Sequence, residues 1–256
     1  VNTFIKTVYA ALVYAFLYFP LVVMGVYSFN ASKYSIAWKG FSTKWYLKLL
    51  GNTQLLDAAL HSLTIAFFSA TLATVVGAIA ALALHRYRFP GRKILYGFVY
   101  VLIMSPDIIM GISLLVLFLV IALPLGFWTL LLSHITLCLP FVTVTVLSRL
   151  QEFDPHVIEA ARDLGASEFR LFRHVILPMV MPSVLAGWLL SFTLSLDDVM
   201  ISFFTTGPSY EILPLKIYSM VRLGVKPEVN ALCVIMISIT LLAVPTAQWL
   251  LKDKTR

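Results

Sequence analysis

The sequence predicts an all-α integral membrane protein with six transmembrane helices. Three observations predict it. Of 256 residues, 60% are hydrophobic and only 12% charged, about half the charged share of a soluble domain. Mean hydropathy is +0.92. The apolar residues also fall into six runs of about twenty or more, the length that crosses a hydrocarbon core at 1.5 Å per residue.

The runs are read as spans over about 8–29, 60–84, 94–121, 127–148, 175–204 and 231–251, making residues 1–256 one transmembrane domain. The first run is long enough to span and is read as a span rather than a cleavable signal. On the second, Ser69, Ala73, Gly77 and Ala81 recur every four residues, a small-residue stripe suited to close helix packing. Pro124 and Gly126 separate the third run from the fourth.

Net charge is +7 and the isoelectric point about 9.4. The basic residues cap apolar runs instead of forming a patch, which points to bilayer orientation and away from nucleic acid. His85-Arg86-Tyr87-Arg88-Phe89-Pro90-Gly91-Arg92-Lys93 is the strongest positive loop, so it is placed in the cytoplasm, and six spans then put both termini there. Twelve Lys and Arg fall inside and seven outside, together the 19 of the chain. Cys138 and Cys233 lie in apolar runs with no metal-ligand spacing; both read as small core hydrophobes, and no metal site is expected.

The loop at 149–174 is different. It carries four Arg against five acids (Glu152, Asp154, Glu159, Asp163, Glu168), a balance that suits contact with protein better than with lipid. Asp154 and Pro155 form a helix start. Gly165 supplies a left-handed stop, and Ser167 caps a second short helix with Glu168 in its first turn. The product is a helix–Gly–helix knob.

Glu159-Ala160-Ala161, Gly165 and Leu177-Pro178 resemble the Glu-Ala-Ala signature of ABC-importer permeases, with Val175 where that signature has Ile. The resemblance implies the type I ABC importer permease fold, with Glu159, Ala160, Ala161, Gly165 and Glu168 in a coupling helix that docks on a cytoplasmic ATPase. It also implies that ATP and Mg are bound by that partner, and the chain has no G-x-x-x-x-G-K-[ST] phosphate cradle of its own. No cofactor and no enzymatic activity are expected in this chain.

Asp107, Asp197 and Asp198 lie in or at the edge of apolar runs. An Asp at a span centre costs about 2.5–3.5 kcal/mol on insertion scales, and no Lys or Arg stands within a run to neutralise them. Uncompensated acids facing a path suit a cationic substrate. The alternative is that they sit at helix ends as caps. Pro106 breaks a helical hydrogen bond beside Asp107. Asp197 and Asp198 stand about 100° apart on a regular helix, so both face one cavity only if the backbone unwinds there. Ser195 could add a neutral acceptor, and intramembrane His134 is read as bonding a neighbouring helix.

Ser28-Phe29-Asn30, Lys44-Trp45-Tyr46, Met104-Ser105-Pro106-Asp107, the run from Phe192 to Asp198 and the run from Gly207 to Pro214 resemble the spermidine/putrescine permeases of the same family. That resemblance implies a polyamine importer of a bacterial inner membrane, completed by a homologous second permease, two ATPase subunits and a periplasmic polyamine-binding protein. Carried over by position, it marks Trp45, Asp107, Glu168, Ser195, Asp197 and Asp198 as residues affecting uptake. Trp45 lies beside Tyr34, Trp38, Phe41 and Tyr46, a set that reads as an interfacial aromatic belt or as a cation–π contact with an ammonium. The long loop 207–230 is assigned to contact with the binding protein. Another substrate within the family, a cation channel and a proton-coupled carrier stay open as alternatives.

Overall fold

The structure is a computed structural model and describes residues 3–33, 37–222 and 227–238. Among these residues it is helical, with two isolated β-bridges, Asn30 to Phe41 and Gly207 to Tyr210. The helices are α1 (Thr3–Ser28), α2 (Lys44–Leu50), α3 (Thr53–Arg86), α4 (Arg92–Met104), α5 (Asp107–Val120), α6 (Phe127–Gln151), α7 (Pro155–Asp163), α8 (Glu168–Leu171), α9 (Leu177–Asp197), α10 (Met200–Thr205) and α11 (Leu213–Arg222). A last helix, α12, covers Pro227–Ser238.

Among the described residues, four helical stretches are long and apolar enough to cross a membrane: α1, α3, α6 and the run Glu168–Asp197, in which a π-helical turn at Phe172–Ile176 joins α8 to α9. The run 94–121, expected as one span, is two helices: α4 and α5 meet at 114° across Ser105 and Pro106. Pro106 has no N–H for the helical ladder and holds extended backbone at ψ 134°. The run 175–204 is also divided, because α9 stops at Asp197 and α10 begins at Met200. Of the sixth run, residues 239–251 lie outside the described residues, as do Tyr34 and the basic residues Lys252, Lys254 and Arg256.

The described residues pack as two compact units, those within 57–215 and those within 1–56 and 216–256. In the first, α6 is the central helix, with buried residues on several faces. Val142 of α6 faces two glycines: a Cβ on Gly77 of α3 would lie 2.9 Å from the Val142 Cβ, and one on Gly187 of α9 would lie 3.4 Å from its Cγ1. The small-residue stripe of α3 is buried here, with Ser69, Ala73, Gly77 and Ala81 all inside. Apolar burial gathers on Leu84, Val146, Leu150, Leu171 and Val180, so the foot of α9 and the helix before it share one core with α3 and α6.

In the second unit, two of the sequence stretches that carry the family resemblance fold onto each other. Phe29 stacks on Phe41 at 5.1 Å, the Ser28 Oγ is 2.7 Å from the Tyr46 hydroxyl, and the Trp45 Nε1–H donates to the Asn30 carbonyl at 2.7 Å. Lys48 and Asn52 both donate to the Glu228 carboxylate at the start of α12, at 2.8 and 3.0 Å.

Candidate transport site

The two interrupted helices meet. Gly111 on α5 lets α10 approach so closely that an added Cβ would lie 2.7 Å from Cδ2 of Phe204 and 3.3 Å from the Cα of Ile201. That contact brings the start of α5, where Asp107 is the first helical residue, toward the break between α9 and α10, where Asp197 is the last residue of its helix. Asp197 lies within electrostatic range of Asp198 and Asp107. Both Asp107 and Asp197 are exposed, and among the described residues no ion pair reaches either.

Asp198 is a different kind of acid. Its backbone is extended (φ −64°, ψ 128°) and its side chain is buried. Its Oδ1 accepts from the Ile201 N–H at 3.3 Å, and its Oδ2 accepts from the Ser202 N–H at 2.8 Å and the Ser202 hydroxyl at 2.7 Å. It therefore caps α10, the alternative the sequence left open, although it does so in the protein interior. Ser195, expected on the path, is also buried. Its hydroxyl is 2.7 Å from Nδ1 of His134 and 3.1 Å from Oγ of Ser69. His134 is fully buried on α6 and reaches Ser202 with its other nitrogen at 2.9 Å. It bonds neighbouring helices, as read from the sequence. Ser69, Gly111 and Ser202 were not singled out for the site; the signal for Ser69 was its place in the small-residue stripe.

Trp45 belongs to the other unit. Its indole is buried and bonded to Asn30, and the ammonium groups of Lys44 and Lys48 stand 4.8 and 5.5 Å from the ring centroid. The ring is thus already engaged by cations of its own chain.

The knob forms as its local chemistry dictates. The Asp154 carboxylate accepts from the His156 N–H at 3.0 Å. Gly165 takes φ +77°, and the Gly165 and Ala166 N–H groups return to the Arg162 and Ala161 carbonyls at 2.8 and 3.1 Å, the paired bonds of a Schellman stop. Ser167 accepts from the Arg170 N–H at 3.4 Å. Glu159 and Ala160 are exposed and Ala161 half-buried, and two large apolar side chains of the knob are exposed, Leu164 at 89% and Phe169 at 70%. Glu168 receives Arg162 of α7 at 3.1 Å and also Arg86, the last residue of α3. One carboxylate therefore ties the knob to the end of a spanning helix.

Spanning helices broken at carboxylates that carry no ion pair among the described residues, with an exposed knob linked to one span, define a membrane-embedded transport subunit. The chain belongs to the family described as binding-protein-dependent transport system inner membrane component, which matches residues 73–252. It is the membrane permease subunit of an ABC transporter and not an enzyme. It is 59% identical over 244 residues to the spermidine/putrescine transport system permease protein PotC of Escherichia coli K12, covering 95% of this chain and 92% of that one. It is 43% identical to the putrescine transport system permease protein PotI of the same organism, covering 88% and 82%. In fold it is similar to the inward-facing MetNI methionine ABC transporter, with a TM-score of 0.66 at 18% identity over 79% of this chain and 96% of that chain.

Proposed function

We propose that this chain is the permease subunit of an ATP-driven polyamine importer, forming half of a path for spermidine or putrescine and docking the ATPase through its knob. The observation that carries the reading is the meeting of two helix breaks at two exposed carboxylates, Asp107 and Asp197, that no cation among the described residues pairs with. Helix C-terminal ends and unwound backbone favour cations in transporters, and Asp197 stands at such an end. The identity to PotC supports the substrate class.

In this reading a homologous permease supplies the other half of the path. Two ATPase subunits bind ATP and Mg, and a periplasmic polyamine-binding protein delivers substrate, with the 207–230 segment facing it. Both termini are cytoplasmic. The exposed Leu164 and Phe169, with Glu159, Ala160 and Ala161, form the surface that meets the ATPase, and Glu168 passes the motion to α3 through Arg86. Asp107 and Asp197 hold the ammonium groups. Ser195 and Asp198 act from behind the wall of the path, and Trp45 secures the loop between α1 and α2.

The test is uptake of radiolabelled spermidine and putrescine by the complete importer in proteoliposomes, with competing amino acids, metal cations and diamines. Polyamine uptake that depends on ATP and is competed only by other polyamines is expected. Uptake that persists without the ATPase would indicate a channel or carrier instead.

A further inference from the structure

Five buried polar groups that take no direct part in the path form one chain with a single direction. The Asp198 Oδ2 accepts from both the Ser202 N–H and the Ser202 hydroxyl, so the one hydroxyl proton of Ser202 points to it. Ser202 Oγ must then accept at its 2.9 Å contact with His134, which places a proton on Nε2. With Nε2 protonated, a neutral ring leaves Nδ1 to accept from the Ser195 hydroxyl at 2.7 Å. The Ser195 proton is thereby used, and its oxygen accepts from Ser69 at 3.1 Å. The order runs Ser69, Ser195, His134, Ser202, Asp198, with the Ser69 hydroxyl sharing its one proton between Ser195 and the Ala66 carbonyl at 3.3 Å.

The ring also straddles the break. Ser195 lies two residues before Asp197 on α9, Ser202 lies on α10, and the imidazole that holds both comes from α6. His134 is fully buried and Ser195 2% exposed, so water does not substitute for these bonds, and a lost partner leaves a buried group unpaired.

We infer that His134 is a positioning residue for transport: a neutral, Nε2-protonated imidazole that clamps both sides of the α9–α10 break and so sets the Asp197 carboxylate toward the polyamine. This rests on the reading of Asp197 as a cation ligand. Without the clamp, Asp197 occupies its binding geometry only part of the time, and apparent affinity falls by that fraction.

The experiment compares spermidine uptake by the reconstituted importer carrying His134→Phe, His134→Gln or Asp197→Asn, with assembly checked by co-purification of all subunits. His134→Phe is expected to raise KM about tenfold with kcat within about twofold, and His134→Gln, which keeps one donor and one acceptor, to recover most of the loss. An unchanged KM in His134→Phe while Asp197→Asn raises it overturns the clamp and leaves the cation site standing. An unchanged KM in Asp197→Asn overturns the cation site itself. Nitrogen-15 NMR of histidine-labelled protein gives a readout that needs no variant at the ring. The Nε2–H form is expected for His134, and the Nδ1–H form or a doubly protonated ring would refute the assignment even if His134→Phe failed to assemble.

Discussion

The His134 Nε2 lies 3.7 Å from the Asp198 Oδ2, and the hydroxyl of Ser202 is bonded to both. The adjacent acids Asp197 and Asp198 therefore differ in task. Asp198 holds three donors and is spent on structure, whereas Asp197 is exposed. Asp198→Asn replaces one acceptor oxygen by a donor facing N–H groups, so it should cost about 1–3 kcal/mol of stability. The expected result is a lower melting temperature and lower yield of the assembled importer, with KM for spermidine nearly unchanged in what assembles. A raised KM with unaltered melting would instead place Asp198 on the path.

Glu168 ties Arg162 of the knob and Arg86 of α3 to one carboxylate. Exposed ion pairs add little stability, so Glu168→Gln should leave folding and ATPase binding intact. Its effect is expected on coupling: more ATP hydrolysed per polyamine imported. Arg86→Gln should give the same phenotype, and the double variant should be no worse than either single one, because both remove one link. Additive losses would show that the two residues act separately.

Gly165 tests the knob from the backbone side. At φ +77° an Ala there is strained by about 1–2 kcal/mol, and relief of that strain swings α8 relative to α7. Gly165→Ala should uncouple hydrolysis from uptake, while Gly165→Asn, which tolerates the left-handed region, should retain more coupling. Equal coupling in both, measured as ATP consumed per spermidine, would mean that the turn does not transmit motion.

The knob was legible in the sequence because its chemistry is local: Asp154, Gly165 and Ser167 each act within a few residues of themselves. Pro106 announced a lost hydrogen bond, but not that the run around it would turn by 114° and become two helices. The break at Asp198 has neither Pro nor Gly to announce it. It is held by His134, 61 residues from Ser195 and 68 from Ser202, and no local pattern encodes that. For the same reason Asp197 and Asp198 looked alike as charges. Their burial differs because of where α6 packs.

Val142 between Gly77 and Gly187 sets the last expectation. A methyl on Gly77 would meet the Val142 Cβ at 2.9 Å and the Leu139 carbonyl at 3.2 Å, whereas one on Gly187 meets Val142 at 3.4 Å or more. The carbonyl cannot move without α6, so Gly77→Ala forces the helices apart at a cost of about 1–3 kcal/mol. Gly187→Ala makes ordinary contacts and gains up to about 1 kcal/mol of helix propensity. Thermal melting of the purified importer should therefore fall for Gly77→Ala and hold or rise for Gly187→Ala. Adding Val142→Ala to Gly77→Ala removes the Cγ1 contact at 3.0 Å but keeps the Val142 Cβ at 2.9 Å and the carbonyl contact, so it should restore only a small part of the loss. Full restoration would show that the valine methyls alone set the spacing of α3 and α6, and none would show that the Cβ and the carbonyl do.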